Sequence, residues 1–321
     1  MSASPVVPLV PFRLASWPSP LEPMPRLARH LGLADDALWI KRDDIGGVGG
    51  GGNKLRKLEY SLAAARAQGA QALVTVGAAQ SNHARLTAAA GARVGLPVVL
   101  VLAGNPEPAP EGNLVLDALF GARLVWAGDA DAATLEARAL AEVQALGNEG
   151  ITAALIPFGG SSVIAAQGYV EAGQELLTQA PDLAQVVVAV GSGGTMAGLV
   201  HALGAPRVLG VDTGAVPDPD AAVRALLDGL GGTAFTAPLQ IRHDQVGAGY
   251  SHLTEPVRRA LQLIARQEGI VLDPVYTGRA FAGLLAALDD GSLARDQRIV
   301  FLHSGGLPGL FGHPQRRTLG D

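Results

Sequence analysis

Lys41, Lys54 and Lys57 are the only lysines among the 24 basic residues of the chain, and they fall within one short segment. A desolvated lysine loses its proton and can then attack an aldehyde to form an imine, whereas arginine does neither. The confinement of this one reactive cation to a single stretch marks the stretch for chemistry. Lys54 ends a glycine-rich run, Gly46-Gly47-Val48-Gly49-Gly50-Gly51-Gly52-Asn53-Lys54-Leu55. The run is not a nucleotide-binding P-loop, because Asn53 precedes the lysine and Leu55 follows it. The hydroxyl that would hold magnesium is missing.

A second glycine-rich turn reads Gly191-Ser192-Gly193-Gly194-Thr195-Met196-Ala197-Gly198 and follows an apolar run ending at Val190. A dinucleotide fingerprint starting at Gly191 requires glycine at position 196, where Met stands. What remains is the chemistry of a phosphate cup. Backbone N–H groups unobstructed by side chains, a helix N-terminus and the hydroxyls of Ser192 and Thr195 converge on one small volume. A tight turn without a ligand fits the same glycines. A reactive lysine and a phosphate cup together point to a cofactor with one aldehyde and one phosphate, and pyridoxal phosphate is that molecule.

The elements that must position these residues alternate. Strand candidates are Leu38–Lys41, Ala72–Val76, Pro97–Leu102, Arg123–Trp126, Thr152–Ile156, Val186–Val190, Arg207–Val211 and Arg298–Leu302. Their continuous Val/Leu/Ile character predicts strands buried on both faces of mostly parallel sheets. Between them, Asn53 is expected to cap a helix from Lys54 to Gln68 that stops at Gly69. Ser81 is expected to cap a second ending near Gly95. Thr254 is expected to start a third, with Pro256 in its first turn and Gly269 closing it. The pattern predicts an α/β fold, with ligands at the glycine-rich strand-to-helix turns.

Composition excludes several functions. The chain has 48% hydrophobic and 17% charged residues, a formal net charge of −5 and no run of Lys and Arg, so a nucleic-acid partner is not expected. It has no cysteine, which excludes disulfides, thiolate metal sites and Cys nucleophiles. Its seven histidines show no metal-binding spacing, and no metal is expected. The apolar stretch Val6–Phe12 is cut by Pro8 and Pro11, too short and broken for a signal peptide or a membrane span. A soluble, cytoplasmic protein without a membrane partner is the expectation.

The ordered motifs carry a resemblance that runs nearly end to end. They are Ile40-Lys41-Arg42-Asp43-Asp44, Gly51-Gly52-Asn53-Lys54-Leu55-Arg56-Lys57-Leu58-Glu59, Gln80-Ser81-Asn82-His83-Ala84-Arg85, Gly159-Gly160-Ser161, the Gly191–Thr195 turn, Asp273-Pro274-Val275-Tyr276-Thr277-Gly278 and His303-Ser304-Gly305-Gly306. With these the chain resembles the D-cysteine desulfhydrase and 1-aminocyclopropane-1-carboxylate deaminase family, within the tryptophan-synthase-β-like, fold type II pyridoxal-phosphate enzymes. The resemblance implies two open, twisted, mostly parallel sheets flanked by helices. It implies a large cofactor-binding domain of residues 1–54 plus 159–321, a small inserted α/β domain of residues 55–158, and a homodimer.

Residue by residue, Lys54 resembles the lysine bonded to the cofactor. Gly191, Ser192, Gly193, Gly194 and Thr195 match the phosphate turn. Asn82 resembles the residue that hydrogen-bonds the cofactor's phenolic oxygen, and Ser81 the hydroxyl that contacts the substrate carboxylate and assists proton transfer. Tyr250 and Tyr276 resemble two tyrosines near the substrate. Lys57 lies one helical turn beyond Lys54 on the same face, where a solvated charge is an equal reading. Lys41, His83 and His303 read as structural.

Thr277 separates the subfamilies, because the cyclopropane deaminases resemble one another in carrying glutamate there. A hydroxyl cannot supply the negative charge that keeps the pyridine nitrogen protonated. The milder electron sink suits loss of a good β leaving group. The implied reaction is α,β-elimination from D-cysteine to pyruvate, hydrogen sulfide and ammonia, with the freed Lys54 amine removing the α-proton. Rival readings are a cyclopropane-carboxylate deaminase, a cysteate sulfo-lyase and a non-catalytic phosphometabolite-binding protein. The glycine run is longer than the family's usual segment and is expected to loosen or reshape the mouth of the site. Arg279 replaces a lysine, and Ser304 replaces a threonine while keeping the hydroxyl.

Overall fold

Each long Val/Leu/Ile run of the sequence becomes a strand. The computed structural model describes residues 10–231 and 237–320, so the part of the Val6–Phe12 stretch before position 10 lies outside the described residues. The elements are β1 (Leu21–Pro23), α1 (Pro25–His30), β2 (Leu38–Arg42), α2 (Lys54–Ala67), β3 (Ala72–Ala78), α3 (Asn82–Val94), β4 (Val98–Ala103), α4 (Asn113–Leu119), β5 (Arg123–Trp126), α5 (Ala132–Asn148) and β6 (Ala153–Ile156). They continue with α6 (Val163–Gln179), β7 (Leu183–Val190), α7 (Gly194–Leu203), β8 (Val208–Asp212), α8 (Pro219–Leu230), β9 (Gln240–Arg242), α9 (Glu255–Glu268), α10 (Thr277–Asp289), β10 (Arg298–His303) and α11 (Leu307–Phe311).

The strands form two sheets. One has six strands in the order β1-β2-β10-β7-β8-β9, parallel except for β1; the other has four parallel strands in the order β5-β4-β3-β6. Both faces of the large sheet are covered, which explains the unbroken apolar runs. Leu38, Ile40, Val187 and Phe301 pack on one face with Val257, Ile264, Phe281 and Leu284 of α9 and α10. Val186, Val188 and Val300 pack on the other with Tyr169, Leu176, Leu199 and Val200 of α6 and α7. Leu55, Leu58 and Leu62 of α2 cover the small sheet with Leu86 of α3. Among the described residues no helix is long and apolar enough to cross a membrane.

Local signals set the helix ends near the site. Ser81 caps α3 by accepting from Ala84 N at 3.1 Å, and Gly95 closes the helix in the left-handed region. Thr254 caps α9, and Gly269 ends it. Asn53 departs from expectation. It has helical backbone angles and makes no cap; its side chain turns to Thr195 and Lys54 instead, and α2 stops at Ala67.

The glycine run is also tighter than expected. The Arg85 guanidinium, buried on α3, donates to the carbonyls of Gly49 and Gly51, while Gly52 N donates to Asp43 O and Asn53 N to Ser304 O. At Gly51, with φ +72°, a Cβ would come 2.1 Å from Asp44 O, so no other residue fits this bend. The segment leading to Lys54 is pinned rather than loosened.

Beneath it lies a buried ionic network. Asp43 accepts from Arg56 at 2.8 and 3.0 Å, from Ser19 at 2.6 Å and from Tyr169 at 2.6 Å. Glu175 pairs with both Arg56 and Lys41, and Lys41 also donates to Ser19 O and Gln179 Oε1. Lys41 is fully occupied there, as its structural reading requires. The network joins β2, α2 and α6 just behind Lys54.

Candidate active site

The site lies at the carboxyl ends of parallel strands, where an open α/β sheet leaves its crevice. The segment after β2 brings Lys54, β3 leads to Ser81 and Asn82, β7 to Gly191–Thr195, and β10 to Ser304. A cavity of about 230 Å³ is lined by Lys54, Ser81, Asn82, His83, Phe158, Ser192, Tyr250, Tyr276 and Ser304. A second, polar recess is lined by Asn53, Lys54, Lys57, Gly191, Ser192, Gly193, Gly194, Thr195, Tyr276 and Ser304. The two share Lys54, Ser192, Tyr276 and Ser304, so the lysine and the glycine cup face each other across one volume.

Lys54 opens onto this volume at the start of α2. Its Nζ lies 3.2 Å from Asn53 Oδ1 and 5.9 Å from the centre of the Tyr276 ring. Burial lowers its pKa to about 8, against the opposing pull of Asp273; the Arg85 charge also lowers it. Lys57 is fully buried and donates to Gly159 O at 2.6 Å and Ser161 Oγ at 3.0 Å. Burial pushes its pKa well below the ordinary value, and the Lys54 charge adds to this. Among the described residues no carboxylate pairs with Lys57.

The cup is built for an anion. Ser161 accepts from Gly194 N at 3.2 Å and lies 2.7 Å from Ser192 Oγ, and a Cβ at Gly194 would stand 2.6 Å from Ser161 Oγ. Asn53 Nδ2 donates to Thr195 Oγ1 at 3.0 Å, so the Thr195 proton remains available to an anion. A helix N-terminus, hydroxyls and an unpaired buried amine make a donor set that fits a phosphate group.

Opposite Lys54, the Tyr250 and Tyr276 hydroxyls are 2.5 Å apart and their rings meet edge to face. Burial raises the pKa of Tyr250 to about 12, and burial holds that of Tyr276 well above the ordinary phenol value. Arg279 holds the loop that carries Tyr250 by donating to the carbonyls of Thr213, Gly249 and His252. Ser81 lines the cavity, and its hydroxyl caps α3.

Thr277 is placed differently from its neighbours. It is buried at the first turn of α10, is absent from the cavity wall, and donates to Asp273 Oδ1 at 2.7 Å while accepting from Asp273 N at 2.9 Å. Asp273 also takes the N–H groups of Val275, Tyr276 and Thr277. Ser304, by contrast, lines both volumes. His83 lies 2.8 Å from Thr75 Oγ1, and His303 Nε2 lies 3.1 Å from Val271 O, with Gly305 N donating to its Nδ1. Among the described residues no cluster of three or more acids and histidines could hold a metal.

Comparison with known proteins gives the class. The family model described as pyridoxal-phosphate dependent enzyme matches residues 12–305. The chain belongs to this family. Pyridoxal phosphate is accordingly its cofactor. Among curated members of the family, the chain is 39% identical to D-cysteine desulfhydrase of Salmonella schwarzengrund, over 94% of this chain and 96% of the relative. It is 38% identical to the Salmonella typhi protein of the same name, with the same coverage. A crystal structure of an ACC deaminase homologue superposes with a TM-score of 0.89 at 34% identity, covering 97% of this chain and 96% of the other. Threonine deaminase isoform 2 of Solanum lycopersicum shares the fold alone, with a TM-score of 0.67 at 19% identity over 91% and 84% of the two chains.

Proposed function

We propose that the protein is a lyase that eliminates hydrogen sulfide from D-cysteine, yielding pyruvate and ammonia. The observation that carries this reading is the position of Lys54. Its amine, with a pKa of about 8, stands between an anion cup and the N-terminus of α3. The substrate assignment is supported by identity near 39% to curated D-cysteine desulfhydrases.

When bound, pyridoxal phosphate supplies an electron-withdrawing ring that stabilises negative charge at the substrate's α-carbon. Gly191–Thr195 and Lys57 hold its phosphate, and Asn82 donates to its phenolic oxygen. Ser81 and the first N–H groups of α3 bind the substrate carboxylate, where the helix dipole favours negative charge. Neutral Lys54 takes the α-proton. Tyr250 and Tyr276 keep their protons at neutral pH, and one of them protonates the departing sulfur. Thr277 is tied to Asp273 and lines neither recess, so it is given no direct hold on the cofactor, contrary to the sequence expectation.

We further read residues 55–158 as a small domain set into a large one of residues 1–54 and 159–321. All four strands of the smaller sheet fall between positions 72 and 156, which supports this division. A cytoplasmic homodimer is part of the same reading. It is supported by exposed Leu307 and Phe311 of α11, which give a second copy apolar area to cover.

The test is keto-acid release by purified protein supplied with pyridoxal phosphate, from D-cysteine, L-cysteine and 1-aminocyclopropane-1-carboxylate in parallel. Pyruvate chiefly from D-cysteine is expected. Release of 2-oxobutyrate from the cyclopropane substrate would replace this reading with the deaminase one.

A further inference from the structure

Asn113 is buried at the first turn of α4, outside the cavity, and belongs to no motif singled out in the sequence. Its Nδ2 donates both to Gln80 O at 2.9 Å and to Asn82 Oδ1 at 3.1 Å. Its backbone N donates to Gln80 Oε1 at 2.9 Å, and Gln80 Nε2 donates to Glu111 O at 3.0 Å.

The direction of every bond in this chain follows from groups that have no choice. A backbone carbonyl can only accept, so Gln80 O fixes Nδ2 as the end of the Asn113 amide that faces it. That nitrogen carries a second proton, which points at Asn82. Asn82 must therefore answer with its oxygen. Its Nδ2 makes no hydrogen bond within the described residues, and Asn82 lines the cavity beside Lys54.

We propose that Asn113 is a positioning residue that sets the polarity of the Asn82 amide, so that a donor rather than an acceptor is presented to the phenolic oxygen of the cofactor. A phenolate oxygen needs a donor; the flipped amide would set two acceptors against each other. The proposal rests on the reading of Asn82 given above. It assigns to α4 a function in cofactor binding, although α4 contributes no residue to the cavity wall.

The experiment is a double-mutant cycle on the holoenzyme with Asn113→Ala, Asn82→Ala and their combination. It reads the dissociation constant for pyridoxal phosphate and the pH midpoint of the bound cofactor's visible absorption band. Each single change should raise the dissociation constant roughly tenfold, the cost of a misdirected polar group. The double variant should match Asn82→Ala alone, because the effect of Asn113 passes through Asn82. Asn113→Ser, which keeps one hydroxyl donor in a side chain about as small as alanine's, should lie between wild type and Asn113→Ala. Asn113→Asp, which keeps the shape but replaces the donor by an acceptor, should weaken binding at least as much as Asn113→Ala and serves if the alanine variant does not fold. Fully additive losses with an unmoved midpoint would overturn the proposal. A silent Asn82→Ala would overturn it together with the placement of Asn82, while leaving the elimination reading to its own assay.

Discussion

The hydroxyl groups of Tyr250 and Tyr276 lie 2.5 Å apart, one from the loop held by Arg279 and the other at the threshold of α10. Only one of two neutral phenols can donate in such a pair, so the second proton is free to face the cavity. Tyr276→Phe should lower kcat about 10²- to 10⁴-fold, the range for losing a positioned acid. Tyr250→Phe should cost less, because Tyr276 then keeps its own proton. Steady-state kinetics on both variants decide this; losses under about threefold in each would remove the pair from proton transfer.

In the cofactor-free protein, burial brings the Lys54 pKa down to about 8. A lowered lysine pKa means more neutral amine at a given pH, with the fraction rising about tenfold per unit below the pKa. The rate of covalent capture of pyridoxal phosphate should therefore climb with pH and level off near 8. Stopped-flow absorbance against pH measures it; a plateau only near the ordinary lysine value would contradict the buried setting. Lys54→Ala should abolish both capture and turnover.

Lys57→Ala should weaken cofactor binding roughly tenfold to a hundredfold, as expected for a hydrogen bond that becomes charge-assisted once the phosphate's negative charge favours the protonated amine. Inorganic phosphate should compete with the cofactor in the parent protein and much less in the variant. Equal competition in both would return Lys57 to a structural role in holding Gly159 and Ser161.

Asp43→Ala should destabilise the fold by about 3–5 kcal/mol, because it leaves the buried Arg56 without its main partner. Urea denaturation gives the value. Burial works to raise the Asp43 pKa, but the Arg56 charge and the hydrogen bonds from Arg56, Ser19 and Tyr169 leave it below the ordinary value. Its contribution is then complete above the unfolded carboxyl pKa and is lost as pH falls through the lower folded one. Stability should accordingly fade on acidification below the usual carboxylate range, and a variant lacking Asp43 should show a flatter acid limb.

Much of this architecture was legible because long, doubly buried strands leave continuous apolar runs. The runs at Val186–Val190 and Arg298–Leu302 sit within β7 and β10, off by a few residues at their ends. The edge strands β1 and β9 are three residues each and half exposed, too short to carry a pattern. Lys54 and the Gly191–Thr195 turn are marked by residue type and spacing, Ser81 and Asn82 only by the resemblance, and all of them line the two recesses. Asn53 read as a helix cap because Asn before a helix usually is one; here Thr195, distant in sequence, supplies a competing partner. Asn113 left no local signal, since its partners Gln80 and Asn82 lie across a strand and a turn. The opposed hydrogen bonds between Thr277 and Asp273 could likewise not be read from a tetrapeptide spacing.

The grip of Arg279 on the Tyr250 loop falls entirely on main-chain oxygens. Every residue type offers the same carbonyl, so this clamp sets the path of the loop without dictating its lettering. Gly247 and Gly249 are held to glycine by their positive φ, but the clamp itself leaves the side chain of Ser251, on the other side of Tyr250, free to vary while the phenol stays in register. For anyone wishing to reshape what the cavity admits, position 251 rather than 249 is where substitution and scaffold are decoupled.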